Sequence, residues 1–287
     1  MNARLYFVHA LSPLHAGIGQ GSGVIDLPIA REKATGLPFL PGSSVKGVLR
    51  DGSDTVLRTA VFGPDTNNAS DHAGAIQVAD ARLLLLPVRS LRGTFAWVTS
   101  PYVLQRFDRD ARDVGLTNLP ALPQIADDAE CATSTSSALK LDVRGSERVV
   151  LEDLDLRPTP SEVVNQWAEW LGRNALGGDP ALQSLISGRL CVVHDDLLGF
   201  LLTTALEVTA RVRLALETKT VERGALWYEE ALPAETVLAG LVAATPNAKG
   251  NATAEQVFGV LANASAHALQ FGGKATVGRG LCRIRLP

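Results

Sequence analysis

A glycine-rich loop that ends on an acid is the stretch of this sequence best suited to do chemistry. Gly17, Gly19, Gly21 and Gly23 lie close together, and Asp26 follows them. Glycine loses more backbone freedom on folding than any other residue, so such a run indicates positive φ angles or close approach by another group. We expect that group to be a ligand that the carboxylate also faces.

Two cations follow the loop at helical spacing. A helix is predicted to begin at Ser43 or Ser44, since serine suits the capping position. Lys46 and Arg50 are four residues apart and therefore share a face near its start. Cations there oppose the helix dipole, and an anion bound between them and the free amides would relieve this. We favour phosphate binding over the alternative, a solvated basic face that pairs with neighbouring acids.

A second glycine-rich segment lies near the end of the sequence. It contains Gly272, Gly273 and Lys274, followed by Gly278 and Arg279. The segment is not a Walker A loop, because the lysine is followed by alanine and the upstream glycine is absent. Glycines that let the backbone approach closely, with two cations among them, still suit phosphates.

An exposed hairpin is predicted in the last third of the chain. Alternation over residues 208–216 indicates a strand, and residues 225–230 form its antiparallel return, which leaves 217–224 at the tip. Aromatic and aliphatic side chains on such an arm can stack on bases or wedge between them. The alternative is that Trp227 belongs to the core. The candidate contacts on this arm are Lys219, Thr220, Leu226 and Trp227.

Composition restricts the class of protein. The chain has 287 residues, 46% of them hydrophobic, which supports a full core. There are 27 Lys and Arg against 30 Asp and Glu, so the net charge of −3 gives no bulk positive field and any nucleic-acid contact must be local.

Three separated cysteines without a CxxC pair argue against a zinc site or disulfide framework. With no evident signal peptide or membrane-spanning run, we expect a cytoplasmic protein without a membrane partner.

Periodicity along the chain predicts an α+β fold in one domain over residues 1–287. Ser100 and Pro101 form a strong helix start, with serine as cap and proline at the first helical position. Residues 115–140 lack periodicity and are interpreted as a mobile insertion. Further strands are predicted near 5–11, 75–88, 94–98, 149–156, 189–194, 237–244 and 281–286. Further helices are predicted from 161, over 197–205 and over 254–269.

Several motifs, in chain order, resemble the RAMP superfamily of CRISPR proteins. They are His15–Gly21, Asp26–Ile29, Pro41–Arg50, Pro87–Leu91, Phe95–Pro101, Gly272–Lys274 and Thr276–Gly280. Within the superfamily the sequence is most similar to the backbone-subunit family of type III-B (Cmr) effector complexes. Residues 115–140 and 160–205 match no motif.

The resemblance implies a ferredoxin-like (RRM-like) palm of antiparallel sheet and helices, with inserted helical segments and a projecting thumb hairpin at about 208–230. Copies would stack along a guide RNA beside other subunits of the complex. Asp26 would cleave single-stranded target RNA paired to the guide, at intervals set by each thumb, with a divalent metal, Mg²⁺, shared between Asp26 and RNA phosphate. The expected RNA-binding residues are Gly17, Gly19, Gly21, Ser43, Ser44, Lys46, Arg50, Lys219, Thr220, Leu226, Trp227, Gly272, Gly273, Lys274, Gly278 and Arg279.

Two alternatives stay open at this point. The chain could be a guide-RNA scaffold without catalytic activity. It could also be a free-standing, metal-independent endoribonuclease that processes precursor RNA with His15 as general acid or base. If Asp26 instead cleaves target RNA, as the resemblance implies, His15 has only an auxiliary catalytic role.

Overall fold

Strands and helices alternate along the computed structural model, which describes residues 2–21, 23–53, 55–65, 71–245 and 252–287. The strands are β1 (Asn2–Ala10), β2 (Phe39–Leu40), β3 (Ile76–Val78), β4 (Ala81–Arg89), β5 (Phe95–Thr99), β6 (Glu130–Thr133), β7 (Leu141–Val143), β8 (Ser146–Leu151), β9 (Leu154–Pro160), β10 (Leu190–Val193), β11 (Glu207–Leu214), β12 (Val221–Ala231), β13 (Val237–Ala244), β14 (Leu269–Gln270) and β15 (Leu281–Arg285). The α-helices are α1 (Gly42–Asp51), α2 (Arg58–Phe62), α3 (Pro101–Asp113), α4 (Glu162–Asn174), α5 (Pro180–Arg189), α6 (Asp195–Thr204) and α7 (Ala254–Ala264).

One mixed sheet forms the palm. Its strand order is β14-β15-β1-β13-β4-β5-β10-β6-β9-β8-β7, with β2 on β4 and β3 on β13. β1 and β13 pair antiparallel from Asn2 opposite Ala244 to His9 opposite Val237. The β5–β10 and β6–β9 pairs are parallel. The arrangement confirms the predicted α+β class.

The central strands of the palm sheet are apolar on both faces, so both faces are buried by other parts of the chain. Leu83, Leu84, Leu85 and Leu86 of β4 are each no more than 4% exposed. Helix α3 begins as predicted, with the Ser100 side chain accepting a hydrogen bond from Val103 N and a proline at its first position. The aromatic rings of α3 and α4 then pack on the sheet together.

Helix α1 begins differently from the prediction. Its N-cap residue is Pro41, and no side chain within the segment caps it. Instead, Asp80 Oδ1 accepts a hydrogen bond of 2.8 Å from Gly42 N. The predicted serine cap was therefore wrong, because a carboxylate distant in sequence satisfies this helix end. Ser43 and Ser44 lie inside the first turn.

Residues 115–140 are not a loose insertion throughout. Glu130–Thr133 form β6, which pairs with β10 on one side and β9 on the other. Leu122 and Ile125, in the irregular part, pack against the core. The predicted strand 149–156 is in fact the β8–β9 hairpin, helix α5 was not predicted, and α7 ends at Ala264, five residues before the predicted end.

The thumb is a separate two-stranded sheet, formed by β11 and β12, as predicted. Register pairs Val212 with Leu226 on one face and Arg211 with Trp227 on the other. One face of the hairpin is therefore apolar and exposed, whereas the other is polar.

In the part of the chain that the structure describes, no helix is long and apolar enough to cross a bilayer.

Candidate active site

Asp26 is exposed and lies at the base of the thumb. Its Oδ2 accepts a hydrogen bond of 2.8 Å from Tyr228 N, across a separation of 202 residues. The next residue continues the attachment, because Leu27 N donates to Tyr228 O at 3.0 Å and Leu27 O accepts from Glu230 N at 3.0 Å. The residue after Asp26 thus pairs in parallel with β12. The thumb strand, rather than the palm, sets the position of this carboxylate.

An open cleft of about 560 Å³ separates the thumb from the glycine-rich loops. Its wall on the palm side includes Gly21, Asp26 and Lys274. The thumb side is formed by the end of the hairpin nearest its tip. The side chains that line it there are Arg213, Glu222, Arg223, Leu226 and Trp227. Asp26 and Lys274 therefore line one cleft together with Leu226 and Trp227.

Glu229, which is 2% exposed, organises the cationic side of the cleft. Lys274 Nζ and Trp227 Nε1 both approach its Oε1 at 2.8 Å, and Arg211 Nε lies 3.3 Å from its Oε2. Burial alone would raise the pKa of Glu229, but the hydrogen bonds from Lys274 and Trp227 and the charges of Lys274 and Arg211 outweigh it and lower the pKa to about 2. A carboxylate that stays ionised therefore fixes two groups of the cleft wall.

Glu230 performs the matching task on the other face of β12. It is 4% exposed, and its Oε2 accepts a hydrogen bond of 3.0 Å from Ile29 N. Its Oε1 accepts one of 2.6 Å from Arg31 Nη2. Because Ile29 follows Asp26 by three residues, the two adjacent glutamates attach the base of the thumb to both glycine-rich segments.

His15 does not face the cleft. It is 6% exposed, and its Nδ1 lies 2.6 Å from the carbonyl oxygen of Glu230. A carbonyl only accepts, so Nδ1 carries the proton of that hydrogen bond. A Cβ on Gly17 would lie 2.5 Å from Nε2 of the ring, and one on Gly272 would lie 2.2 Å from the His15 carbonyl oxygen. The histidine packs both glycine-rich segments together, which does not agree with the predicted role in acid–base catalysis.

Two predicted phosphate-binding arginines are occupied within the protein. Arg279 is 7% exposed, and its Nη2 donates to Thr209 Oγ1 at 2.9 Å in the base of the thumb. Arg50 donates to the carbonyl oxygen of Pro64 and forms an ion pair of 2.5 Å with Asp65. Neither guanidinium is presented to a ligand in the cleft, because Arg279 is buried and Arg50 is bound to Pro64 and Asp65.

The other predicted contacts are divided between the cleft and the remaining surface. Lys219 and Thr220 are exposed at the tip of the thumb, where Lys219 has a positive φ of 55°. Lys46 is half-buried on α1 and forms no ion pair with any residue whose position is described. Of the glycines, Gly21 lines the cleft. The predicted contacts outside the described cleft lining are Gly17, Gly19, Ser43, Ser44, Lys46, Arg50, Lys219, Thr220, Gly272, Gly273, Gly278 and Arg279.

Sequence reasoning missed the cations and glutamates of the thumb. Arg213 and Arg223 line the cleft, whereas Glu229 and Glu230 form its support. A signal was available: in a hairpin, residues two apart share a face, so Arg211, Arg213 and the residues opposite them on the return strand mark a polar face.

Asp26 and Glu222 are the exposed carboxylates of the described cleft lining, and Glu222 Oε2 lies 3.7 Å from Arg213 Nη1, which leaves Asp26 as the carboxylate available to a metal ion. Within the described ranges no three His, Cys, Asp or Glu side chains cluster as a metal site. Asp26 is exposed, and its carboxylate oxygens are hard ligands. They suit a cation that takes most of its other ligands from water and phosphate. These described residues do not fit a structural metal cage, but they fit a cation that takes its other ligands from water or from a bound molecule.

A palm sheet, a thumb hairpin and an aspartate at their junction define the class of protein to which this chain belongs. The model of the RAMP superfamily matches residues 7–283. The chain belongs to the RAMP superfamily and, within it, to the Cmr4 family, as its relatives indicate.

One relative is a protein of Pyrococcus furiosus (strain ATCC 43587 / DSM 3638 / JCM 8422 / Vc1) named CRISPR system Cmr endoribonuclease Cmr4. It is 37% identical over 293 aligned residues, which cover 100% of this chain and 96% of that protein. The crystal structure of oligomeric Cmr4 from Pyrococcus furiosus is similar with a TM-score of 0.78 and 29% identity, over 100% of this chain and 98% of that one. A chain in the cryo-EM structure of the type III-B Cmr-beta bound to cognate target RNA shares the fold, with a TM-score of 0.73 and 20% identity over 99% and 96% of the two chains.

Proposed function

We propose that this chain is a backbone subunit of a type III-B CRISPR (Cmr) effector complex, where it binds guide RNA and cleaves the complementary target RNA. The observation that carries the proposal is the exposed Asp26 carboxylate, held at the thumb base in a cleft that also contains Lys274. The Pyrococcus furiosus relative is named an endoribonuclease, which supports the same activity.

The cleft residues divide into those that bind and those that act on the phosphodiester. Arg223, together with Arg213 and Lys274, which also contact Glu222 and Glu229, offers cationic groups to the RNA backbone although the chain has no net positive charge. Leu226, 54% exposed on the thumb, is placed to wedge between bases and displace one pair. A displaced nucleotide is free of helical geometry, so its 2′-hydroxyl can align with the leaving oxygen.

Asp26 is the residue that acts at the reacting group in this proposal. It takes up the proton of the 2′-hydroxyl, whose oxygen forms a bond to phosphorus as the bond to the 5′-oxygen breaks and that oxygen gains a proton from water. Alternatively, it would hold a divalent cation, Mg²⁺, together with RNA phosphate oxygens. The cation would neutralise charge on the phosphate in the transition state. Since one carboxylate holds a metal weakly, the free protein should bind Mg²⁺ weakly and the RNA-loaded complex more tightly.

The test uses reconstituted complex with labelled complementary RNA, with and without Mg²⁺. Asp26→Asn keeps an oxygen that accepts from Tyr228 N but removes the charge, so it separates chemistry from loop structure. We expect evenly spaced products from the wild type and at least a roughly 100-fold slower reaction from Asp26→Asn, at unchanged RNA affinity. Asp153→Asn, another exposed acid, is the matched control. Unchanged cleavage by Asp26→Asn would leave only a scaffold role.

A further inference from the structure

The thumb hairpin is irregular where it faces the cleft. Between Val212 and Leu214, β11 advances by two residues, whereas β12 covers five, from Leu226 back to Val221. Residues 222–225 therefore bulge out of the ladder. All four of them line the cleft, and bulges of this kind commonly re-aim side chains next to an active site.

Arg223 is the cation that this bulge presents to the cleft. The neighbouring Gly224 has a positive φ of 75°, and a Cβ added to it would meet nothing within 4 Å, so the glycine serves the backbone conformation and not close packing. Arg223 is exposed, and its side chain forms no ion pair or hydrogen bond with a residue in the described ranges. The other two cations of the described lining, Lys274 and Arg213, each lie within ion-pair distance of a glutamate. The guanidinium of Arg223 therefore reaches a ligand without leaving another partner.

Gln20 lines the same cleft from the palm side. Gly21 N donates to Asp26 O at 2.8 Å, which closes the loop and places residue 20 on the wall that carries the Asp26 carboxylate. The Gln20 side chain is exposed and forms no hydrogen bond with any residue whose position the structure describes. Its amide therefore offers two N–H donors beside Asp26 without adding charge.

We infer that Arg223 and Gln20 bind the non-bridging oxygens of the scissile phosphate from the two walls of the cleft. The inference rests on the proposed nuclease and adds two catalytic residues to it. A guanidinium fork matches two phosphate oxygens, and the amide of Gln20 donates to one of them at short range.

Both donors act on charge that develops during the reaction. The 2′-hydroxyl gives its proton to Asp26 and its oxygen bonds to phosphorus, while the bond to the 5′-oxygen breaks and that oxygen takes a proton from water. Between these events, negative charge accumulates on the non-bridging oxygens. Donors that meet this charge stabilise the transition state more than the bound substrate, so they raise the rate rather than the affinity.

Ordinary backbone binding by Arg223 is the competing explanation. In that case the arginine meets a phosphate away from the reacting bond, and its loss lowers RNA affinity without changing the rate at which bound RNA is cut. Two observations favour the scissile phosphate. The whole bulge faces the cleft that contains Asp26, and a neutral amide at Gln20 adds no electrostatic attraction for the backbone at long range.

The test measures how fast bound target is cleaved, with reconstituted complex in excess over labelled complementary RNA. We expect Arg223→Gln to slow this step about 100-fold and Gln20→Ala about tenfold, as for the loss of a charged and of a neutral donor. RNA affinity should change less than about threefold, because base pairing with the guide holds the target. Arg223→Lys keeps the charge but loses the fork, so its rate should lie between those of wild type and Arg223→Gln. The matched controls are the exposed residues in Arg144→Gln and Gln124→Ala, which should cleave normally.

Phosphorothioate RNA separates a contact at the phosphate from an effect on structure. One non-bridging oxygen of the scissile linkage is replaced by sulfur, in each stereoisomer in turn. Because sulfur is a weak acceptor, wild type should cleave one isomer about tenfold more slowly than the oxygen substrate. Arg223→Gln has already lost the contact, so it should show much less of this difference.

The outcomes distinguish this inference from the proposed function. A wild-type rate of Arg223→Gln on bound target, a loss confined to RNA affinity, or a sulfur effect of equal size in both proteins would each overturn the inference and leave the Asp26 nuclease in place. If Asp26→Asn cleaves as fast as wild type, the nuclease fails and the inference fails with it. Thermal melting checks folding, and both variants should melt as wild type does because neither side chain has a partner to lose within the described ranges.

Discussion

The loop that carries Asp26 and the loop that carries Lys274 both pack against His15, yet they are constructed differently. In the C-terminal loop, residues 271–280, Gly280 N donates to Pro13 O and Gly280 O accepts from Phe271 N, each at 2.8 Å. A Cβ on Gly280 would lie 1.9 Å from the Phe271 carbonyl oxygen. Backbone contacts therefore fill the space around this glycine.

In the described outer part of the Asp26 loop, residues 18–21 and 23–25, Gly21 is in close contact with Ile25 and Pro28, but the other two glycines are not. A Cβ added to Gly19 or Gly23 would meet nothing within 4 Å. Ile18 is 65% exposed and Val24 91% exposed. Backbone contacts therefore fix the cationic wall of the cleft, whereas Gly19 and Gly23 leave open space in the loop before the aspartate. Glycine therefore allows close backbone packing at Gly280, whereas Gly19 and Gly23 lie in open space.

The largest effect should come from filling the packed loop. Gly280→Ala combines a positive φ of 81° with a clash against backbone, and we expect it to destabilise the protein by about 4 kcal/mol. Gly278→Ala has the same φ of 81° but open space, so it should cost only about 1 kcal/mol. Chemical denaturation measures both. Equal losses for the two variants would contradict the packing explanation.

An intermediate effect is expected from the ion pair that holds the packed loop. The pKa of Glu229 is lowered from 4.5 to about 2, so its contribution to stability is complete above pH 4.5 and is lost as the pH falls toward 2. This contribution is on the order of 3 kcal/mol. Glu229→Gln should flatten the stability curve over that interval, as measured by thermal melting at a series of pH values. A variant that keeps the wild-type acid sensitivity would show that other carboxylates dominate.

The smallest effect should come from the open loop. Gly23→Ala has neither a positive φ nor a neighbour, so stability should rise by about 0.5 kcal/mol through a less flexible unfolded chain. Gly19→Ala, with a φ of 94°, should cost about 1 kcal/mol. Reduced cleavage by a stable Gly23→Ala protein would indicate that RNA uses this space. If Gly23→Ala instead destabilised the protein as much as Gly280→Ala does, the contrast between the loops would be lost.

Much of the fold could be predicted because its signals are local. The start of α3 depends on Ser100 and Pro101, and the thumb depends on alternation and a short tip, all within a few residues of each other. The start of α1 and the position of β6 could not be predicted. The first is capped by Asp80, and the second is a four-residue strand that gains its partners, β10 and β9, only from later parts of the chain.

For the candidate site residues too, contacts between distant parts of the chain could not be predicted from local signals. Asp26 and Lys274 line one cleft, and no pattern in the sequence measures the distance between them. Arg279 and His15 had suitable chemistry, but burial removes them from the cleft. The glycines at 17 and 272 were attributed to a ligand, and the close group is the protein's own histidine.

By itself the sequence determined several elements, among them α3 and the thumb hairpin, and which residue types are present to bind phosphate, because periodicity and capping act over a few neighbouring positions. Only the tertiary structure decided which of those residues meet solvent. Glu229 and Glu230 bind partners from both ends of the chain, so the place of Lys274 in the cleft depends on a carboxylate that is distant in sequence.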